Sequence, residues 1–427
     1  MFVNYTDQST LGISKTTFLV VLGAACVASS VLTLKVWSLC IFQNNYVISN
    51  NIYSLQMRSL WESLKCKHDE EVIQGQSRTL MDKECRDGVQ ALIGDTKMIE
   101  IKSLSRQTGC KILAKAEFMN PGGSVKDRVA LEILKEAVMG GHLKSGGLVA
   151  EGTVGSTGVS LAMLAPSFGC RCFIAMPDDA AEEKSATLES LGAHVQRVRP
   201  VSISHPEHFV HVARKKVEAE SNAIFANQFE NLANFRAHLK TGEEIWEQCR
   251  GTVDAFVSGA GTGGTIAGVS RTLKTHSPSV RIFLADPPGS GLYNKVKRGV
   301  MYAKEEAEGK RLRNPFDTIT EGVGLNRITQ NFDQAIIDDA FKVSDRESVE
   351  MAAYLLRNEG LFVGSSAAVN CAGAVKAARR LGPGHTVVTI LCDGGQRHLS
   401  KFHNAQYLKN LTLEPKESGE TLDFVKP

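Results

Sequence analysis

Lys126 stands where its charge is poorly placed. In NPGGSVKDRVA, Asn120 to Ala130, a Pro-Gly-Gly turn precedes Ser124 and Asp127, which have the S-x-x-D spacing of a capping box and predict a helix starting near Val125. The first turn of a helix carries partial positive charge and favours Asp or Glu over Lys. A solvated surface lysine is one reading. The other is an amine held where its ammonium form is disfavoured, which suits a Schiff base with a carbonyl. Three loops elsewhere bear on the choice. SGAGTGGTIAG, Ser258 to Gly268, sets four glycines within six residues and adds the hydroxyls of Thr262 and Thr265. Close backbone N–H groups and a helix N-terminus there can cradle a phosphate. The loop has neither the G-K-[ST] of a P-loop nor the ribose-binding acid of a dinucleotide fingerprint, and a ligand-free glycine turn is the alternative. EGTVGSTGVS, Glu151 to Ser160, places Thr153, Ser156, Thr157 and Ser160 around Gly155 and Gly158 at a predicted helix start, a cup for a carboxylate. GLFVGSSAAV, Gly360 to Val369, leads from a short apolar strand into an alanine-rich helix with Ser365 and Ser366 at its mouth, where an ordinary serine N-cap is the alternative. A phosphate cup, a carboxylate cup and an amine able to condense with a carbonyl answer the three groups that pyridoxal phosphate joined to an amino acid presents.

Loops of this kind have to be held by strands. From about Gly88 to Leu408 short β-branched or apolar runs alternate with longer amphipathic stretches. That is the pattern of an α/β protein with a mainly parallel sheet, whose ligands bind at the carboxyl ends of strands. Strands are predicted at Lys111 to Phe118, Cys170 to Pro177, Ala193 to Val198, Ala255 to Ala260, Arg281 to Pro287 and Thr386 to Cys392. The charged stretch Lys295 to Asn314 predicts a surface insertion or loop.

The amino terminus differs in kind. FLVVLGAACVASSVLTL, Phe18 to Leu34, has no charge between Lys15 and Lys35, and with Val36 and Trp37 it approaches the ~20 residues that cross a bilayer. A transmembrane anchor over 16–37 is expected, after a tail of 1–15 and before a polar linker of 38–85; a signal peptide and a buried core helix are the alternatives. Composition fits a globular body: of 427 residues, 43% are hydrophobic and 22% charged, and a net charge of +3 is too mild to argue for a nucleic-acid partner. The ten cysteines are scattered without zinc spacing, so they read as reduced thiols, and no metal site is expected.

NPGGSVKDR and four further motifs in order, from LIGDTKMIEI (Leu92 to Ile101) through CDGGQRHLSKF (Cys392 to Phe402), cover about three quarters of the chain. In them the chain resembles the fold-type II pyridoxal-phosphate enzymes, within these the cysteine synthases, and most nearly their membrane-anchored fungal branch. The resemblance implies two three-layer αβα subdomains around mainly parallel twisted sheets. It implies a catalytic domain over 86–410, a small mobile subdomain at about 131–235, and a tail over 411–427. By the same resemblance Lys126 holds pyridoxal 5′-phosphate covalently, Gly261, Thr262, Gly263, Gly264 and Thr265 bind its phosphate, and Ser366 meets the pyridine nitrogen. Gly322 and Gly324 line the cofactor face, and Thr153, Gly155, Thr157 and Gln228 bind the substrate carboxylate.

Two positions depart from the family pattern. The common loop T-S-G-N-T-G uses Asn toward the cofactor's 3′ oxygen; Ser156 stands there and can still donate one hydrogen bond, over a shorter reach. Cys392-Asp393-Gly394 stands where many cysteine synthases carry Pro and Ser beside the ring nitrogen. The implied reaction is a ping-pong β-replacement: O-acetyl-L-serine loses acetate, sulfide adds to the aminoacrylate, and L-cysteine is released. A β-eliminating cysteine desulfhydrase or serine dehydratase would use the same residues, and a membrane-tethered scaffold without catalysis is a third reading. The resemblance further implies a homodimer, with a single pass through the mitochondrial outer membrane and the catalytic domain in a reducing compartment.

Overall fold

Every residue of the strand Thr386–Leu391 is buried, which requires cover on both faces of its sheet. The computed structural model describes residues 88–180, 182–201, 203, 205–302, 318–416 and 421–427. Its strands are β1 Met98–Glu100, β2 Lys111–Ala116, β3 Leu148–Gly152, β4 Arg171–Pro177, β5 His194–Val198, β6 Ala223–Phe225, β7 Ala255–Ser258, β8 Arg281–Asp286, β9 Asp339–Lys342 and β10 Thr386–Leu391. The helices that carry or cover the site are α1 Lys126–Met139, α2 Ser156–Leu164, α3 Glu182–Ser190, α4 Phe209–Glu218, α5 Ala233–Gln248, α6 Gly264–His276, α7 Asp345–Glu359 and α8 Ser365–Leu381.

Two sheets result. The larger runs β1-β2-β10-β7-β8-β9, parallel except for the antiparallel β1–β2 pair; the smaller runs β5-β4-β3-β6, all parallel. Side chains alternate across each strand, so each sheet feeds two cores. In the larger sheet Ile112, Val257, Phe283 and Val387 join α7 and α8 on one face. Leu113, Phe256, Ile282 and Val388 join α5 and α6 on the other. In the smaller sheet Val149, Cys172 and Ile174 pack with α1 and α2, while Ala150, Phe173 and Ala175 pack with Ala213 of α4. Both are therefore helix–sheet–helix sandwiches. Each predicted strand is found, shortened by one or two residues at one end.

Some expectations are corrected. Placement in the mitochondrial outer membrane is overturned, and the bilayer as partner finds no support: among the described residues no helix is long and apolar enough to cross a membrane. Residues 16–37, with the tail 1–15 and the linker 38–85, lie outside the described residues. Gly360 to Gly364 forms no strand; only Val363 bridges, to Gly394. Lys295 to Asn314 opens within a helix, Leu292–Arg298, and 303–317 lie outside the described residues. The expected capping box does not form: α1 begins at Lys126 with no side-chain cap bond at Val125. The Ser124 hydroxyl accepts the Lys126 N–H at 3.2 Å, while Asp127 turns back to the Gly122 N–H at 2.6 Å.

Candidate active site

The turn that delivers Lys126 rests on a buried ionic network. Arg128 bonds Glu117 and Glu244 at 2.7 Å each, Lys115 reaches Glu244 at 2.7 Å, and all four side chains are buried. Two cations against two anions leave no uncompensated charge inside, and Arg128 fixes both carboxylates through its forked donors. Asn120 closes the turn, accepting the Gly94 N–H at 2.9 Å and donating to the carbonyl oxygens of Glu117 and Ser124 at 2.9 and 3.2 Å. Lys126 is thus pinned at the first position of α1.

Its amine faces the glycine loop. Nζ donates to Thr262 Oγ1 at 3.4 Å and makes no ion pair among the described residues. Burial lowers the amine's pKa, only partly opposed by Cys392 and Asp393, so the neutral form is more accessible than for a surface lysine. The same Thr262 Oγ1 accepts from Asn234 Nδ2 at 2.8 Å, and Thr329 Oγ1 donates to the Thr262 carbonyl at 2.8 Å. Thr265 is held by His238 Nε2 at 3.1 Å; burial keeps that imidazole far below its ordinary pKa, hence neutral.

Glycine is required at the nest by close approach. A Cβ on Gly261 would lie 2.0 Å from the Gly322 carbonyl oxygen, and one on Gly263, whose φ is +90°, would lie 2.5 Å from Phe332 Cα. Gly264 stands one step behind, where a Cβ would meet Asn234 Oδ1 at 2.0 Å.

One cavity of about 450 Å³ gathers the residues that sequence reasoning scattered over 240 positions. Lys126, Thr153, Gly155, Ser156, Thr157, Gln228, Gly261, Thr262, Gly263, Thr265, Gly322, Gly324 and Ser366 all line it; Gly264 does not. Within it Thr157 Oγ1 donates to Gln228 Oε1 at 2.5 Å, and Thr153 Oγ1 accepts the Gly155 N–H at 3.1 Å, so the Thr153–Thr157 loop is already folded on itself. The Ser156 hydroxyl accepts from Arg397 at 3.1 Å.

The wall also holds Lys184, Glu321 and His398, which sequence reasoning did not single out, beside Cys392 and Asp393, which it did. Glu321 takes Lys184 Nζ of α3 at 2.9 Å. Burial works against the Glu321 charge, yet Lys184 holds its carboxyl below the ordinary range. His398 Nε2 lies 3.0 Å from Asp393 Oδ2, leaving Asp393 Oδ1 and His398 Nδ1 buried without a hydrogen-bond partner among the described residues, the latter 3.8 Å from Glu321 Oε2. The Cys392 thiol, pushed up to about 12 by burial and Asp393 against a Ser366 hydrogen bond, stays protonated. The signal available for these was adjacency alone: Glu321 precedes Gly322, and Arg397 and His398 follow Asp393.

The residues present fit a phosphorylated aldehyde. A backbone nest with two threonine hydroxyls suits the phosphate, an unpaired and enclosed amine suits the aldehyde, and Ser366 at the mouth of α8 suits a ring nitrogen. Comparison with known proteins agrees. Residues 89–393 match the family described as pyridoxal-phosphate dependent enzyme. The chain is 51% identical over 387 residues to cysteine synthase 2 of Schizosaccharomyces pombe, covering 88% of this chain and 96% of that one. It is 46% identical to cysteine synthase of Dictyostelium discoideum, over 79% of this chain and 89% of that one. Among solved structures, the O-acetylserine dependent cystathionine beta-synthase from Helicobacter pylori superposes with a TM-score of 0.64 at 29% identity, covering 74% of this chain and 98% of that chain. A cavity built for this cofactor, in a chain this similar along most of its length, places the protein in the fold-type II pyridoxal-phosphate dependent enzyme family, beside its cysteine synthases.

Proposed function

We propose that this chain is a cysteine synthase that forms L-cysteine and acetate from O-acetyl-L-serine and hydrosulfide by β-replacement. The observation that carries the reading is the enclosed Lys126 amine, without an ion pair among the described residues, 3.4 Å from Thr262 of the glycine nest and on one cavity with the Thr153–Thr157 loop. When bound, pyridoxal phosphate supplies a sink for the electrons of the substrate Cα–H bond. Lys126, its pKa lowered by burial, can take the α-proton and return it. Gly261, Thr262, Gly263 and Thr265 hold the phosphate, Ser366 offers its hydroxyl to the ring nitrogen, and Gly322 and Gly324 keep the opposite wall free of side chains. Thr153, Gly155, Thr157 and Gln228 receive the substrate carboxylate. The Cβ–O bond to acetate breaks with its electron pair leaving on acetate, and a Cβ–S bond to hydrosulfide forms. The names of the relatives in Schizosaccharomyces pombe and Dictyostelium discoideum support this choice of reaction. A small lobe over about 131–235 that moves, and two chains that pair, belong to the same reading.

Ser156 in place of an amide favours a second reading, β-elimination from cysteine or serine. Loaded with pyridoxal phosphate, the Lys126→Ala chain is expected to lose the visible absorbance of the bound cofactor and cysteine formation by on the order of a thousandfold or more. Initial rates with O-acetylserine plus sulfide, with cysteine and with serine on one preparation separate the reactions: pyruvate outpacing cysteine turns the assignment to elimination. Wild-type protein that stays colourless with added cofactor returns the scaffold reading.

A further inference from the structure

Arg397 has no part in the reaction as drawn, yet it touches both loops that frame Lys126. Its Nη1 donates to Ser156 Oγ at 3.1 Å and its Nη2 donates to the Gly122 carbonyl oxygen. The guanidinium lies over Gly123, at φ +78°, where an added Cβ would sit 3.6 Å from Nε. Asp127 is the anion beside it; its carboxylate takes the Gly122 N–H at 2.6 Å and the Ser160 hydroxyl at 2.5 Å. One arginine therefore spans the Pro-Gly-Gly turn, the head of α2 and the carboxyl-terminal end of the larger sheet.

The chemistry of the contact is asymmetric. A guanidinium has only donors, so Ser156 must accept from it. The hydroxyl proton of Ser156 then has to go elsewhere, and no acceptor for it stands among the described residues. The open side of Ser156 is the cavity.

We propose that Arg397 is a positioning residue: by donating to Ser156 Oγ it turns the hydroxyl proton away from the guanidinium and into the cavity, so that the serine donates toward the cofactor's ring oxygen. An asparagine amide carries its own N–H donors and needs no such help, whereas a serine hydroxyl can rotate to donate or accept. The cation behind the serine also strengthens the hydrogen bond it gives. Arginine and serine together thus do the work of the amide in the common loop sequence. The inference rests on the reading of the cavity as a pyridoxal-phosphate site.

The test compares wild type, Arg397→Met, Ser156→Ala, Ser156→Asn and the double variants Arg397→Met/Ser156→Ala and Arg397→Met/Ser156→Asn, each loaded with pyridoxal phosphate. The readouts are the ratio of visible to near-ultraviolet cofactor bands and cofactor retention on dialysis, with kcat and KM for O-acetylserine measured alongside. Arg397→Met and Ser156→Ala should move the band ratio in the same direction and weaken retention about tenfold each. Combined, they should do no more than either alone. Ser156→Asn should restore the wild-type ratio in the Arg397→Met background. A wild-type ratio in Arg397→Met overturns the proposal. So does a folded Arg397→Met/Ser156→Asn chain that keeps the altered ratio, since Arg397 would then serve the fold alone. If Arg397→Met does not fold by circular dichroism, Arg397→Lys replaces it; a single ammonium cannot hold Gly122 and Ser156 together, so a smaller shift in the same direction is expected and an unchanged ratio overturns the idea. Wild-type protein that takes up no cofactor defeats the cavity reading instead.

Discussion

Glu151 lies beside the Thr153–Thr157 loop, 1% exposed, its two oxygens accepting the Gln228 and Gly152 N–H groups at 3.1 Å each. Burial outweighs those bonds and pushes its carboxyl up from 4.5 to about 7. The folded state therefore binds this proton more tightly than the unfolded chain does. The stability it contributes is complete below pH ~4.5 and is lost as pH rises through about 7, a change on the order of 3 kcal/mol. Glu151→Gln keeps the shape and removes the titration. Its melting temperature should vary less between about pH 5 and 8, and should pass that of wild type on the alkaline side; melting curves that run parallel across that range would defeat the assignment. The contrast with Lys126 explains what single residues disclose. Lys126 breaks a local rule, a cation in the first turn of a helix, so it stands out in the bare sequence. Glu151, Arg397 and His398 break none; their roles come from burial and from partners 77, 241 and 5 residues away.

At the scale of elements, the glycine nest depends on how closely α6 lies against α5. A Cβ on Gly268 would sit 2.5 Å from the His238 carbonyl carbon, and one on Gly242 would sit 2.5 Å from Thr272 Cβ. Neither neighbour is the loose end of a side chain, so an added methyl must part the helices. Gly268→Ala is expected to cost about 1–3 kcal/mol of stability by overpacking. Because Gly263 and Gly264 open α6 and His238 of α5 holds Thr265, it should also weaken cofactor retention, while Gly141→Ala, in open space but at φ +71°, should destabilise without changing retention. Equal retention in both would separate helix spacing from the phosphate site. The strands were legible where four or more apolar or β-branched residues run together, as in β4, β8 and β10. β1 and β6 have three residues each, too few for any period to show, and β3 carries Glu151 one residue before its end, a carboxylate that reads as solvent-facing until its burial is seen. The Phe362 segment misled in the opposite sense: its apolar residues cover the turn at Gly395, where a Cβ would meet the Phe362 ring at 2.7 Å, without pairing as a strand.

For the molecule as a whole, the proposed reaction would have the two sandwiches close over the cavity, and Lys184 to Glu321 is a direct link between them: α3 packs on the smaller sheet, Glu321 leads into the glycines that face the nest. Its side chains are 24% and 33% exposed, so solvent screens it and its worth is about 0.2–1 kcal/mol. That is too little to hold the fold and enough to bias the lobe movement proposed above. Closure excludes water from the reacting carbons, and water entering before sulfide diverts substrate to pyruvate. Lys184→Met should therefore leave melting within a degree or two and raise the pyruvate-to-cysteine ratio by roughly 1.4-fold to fivefold, the factor that about 0.2–1 kcal/mol permits. Salt should carry wild type toward the variant, since an exposed pair weakens as ionic strength rises from about 0.01 to 1 M, and should leave Lys184→Met nearly unmoved. A partition ratio equal in the two proteins at low salt would show that this ion pair has no hold on closure, and would turn attention to the uncharged contacts of the Thr153–Thr157 loop as what keeps water out.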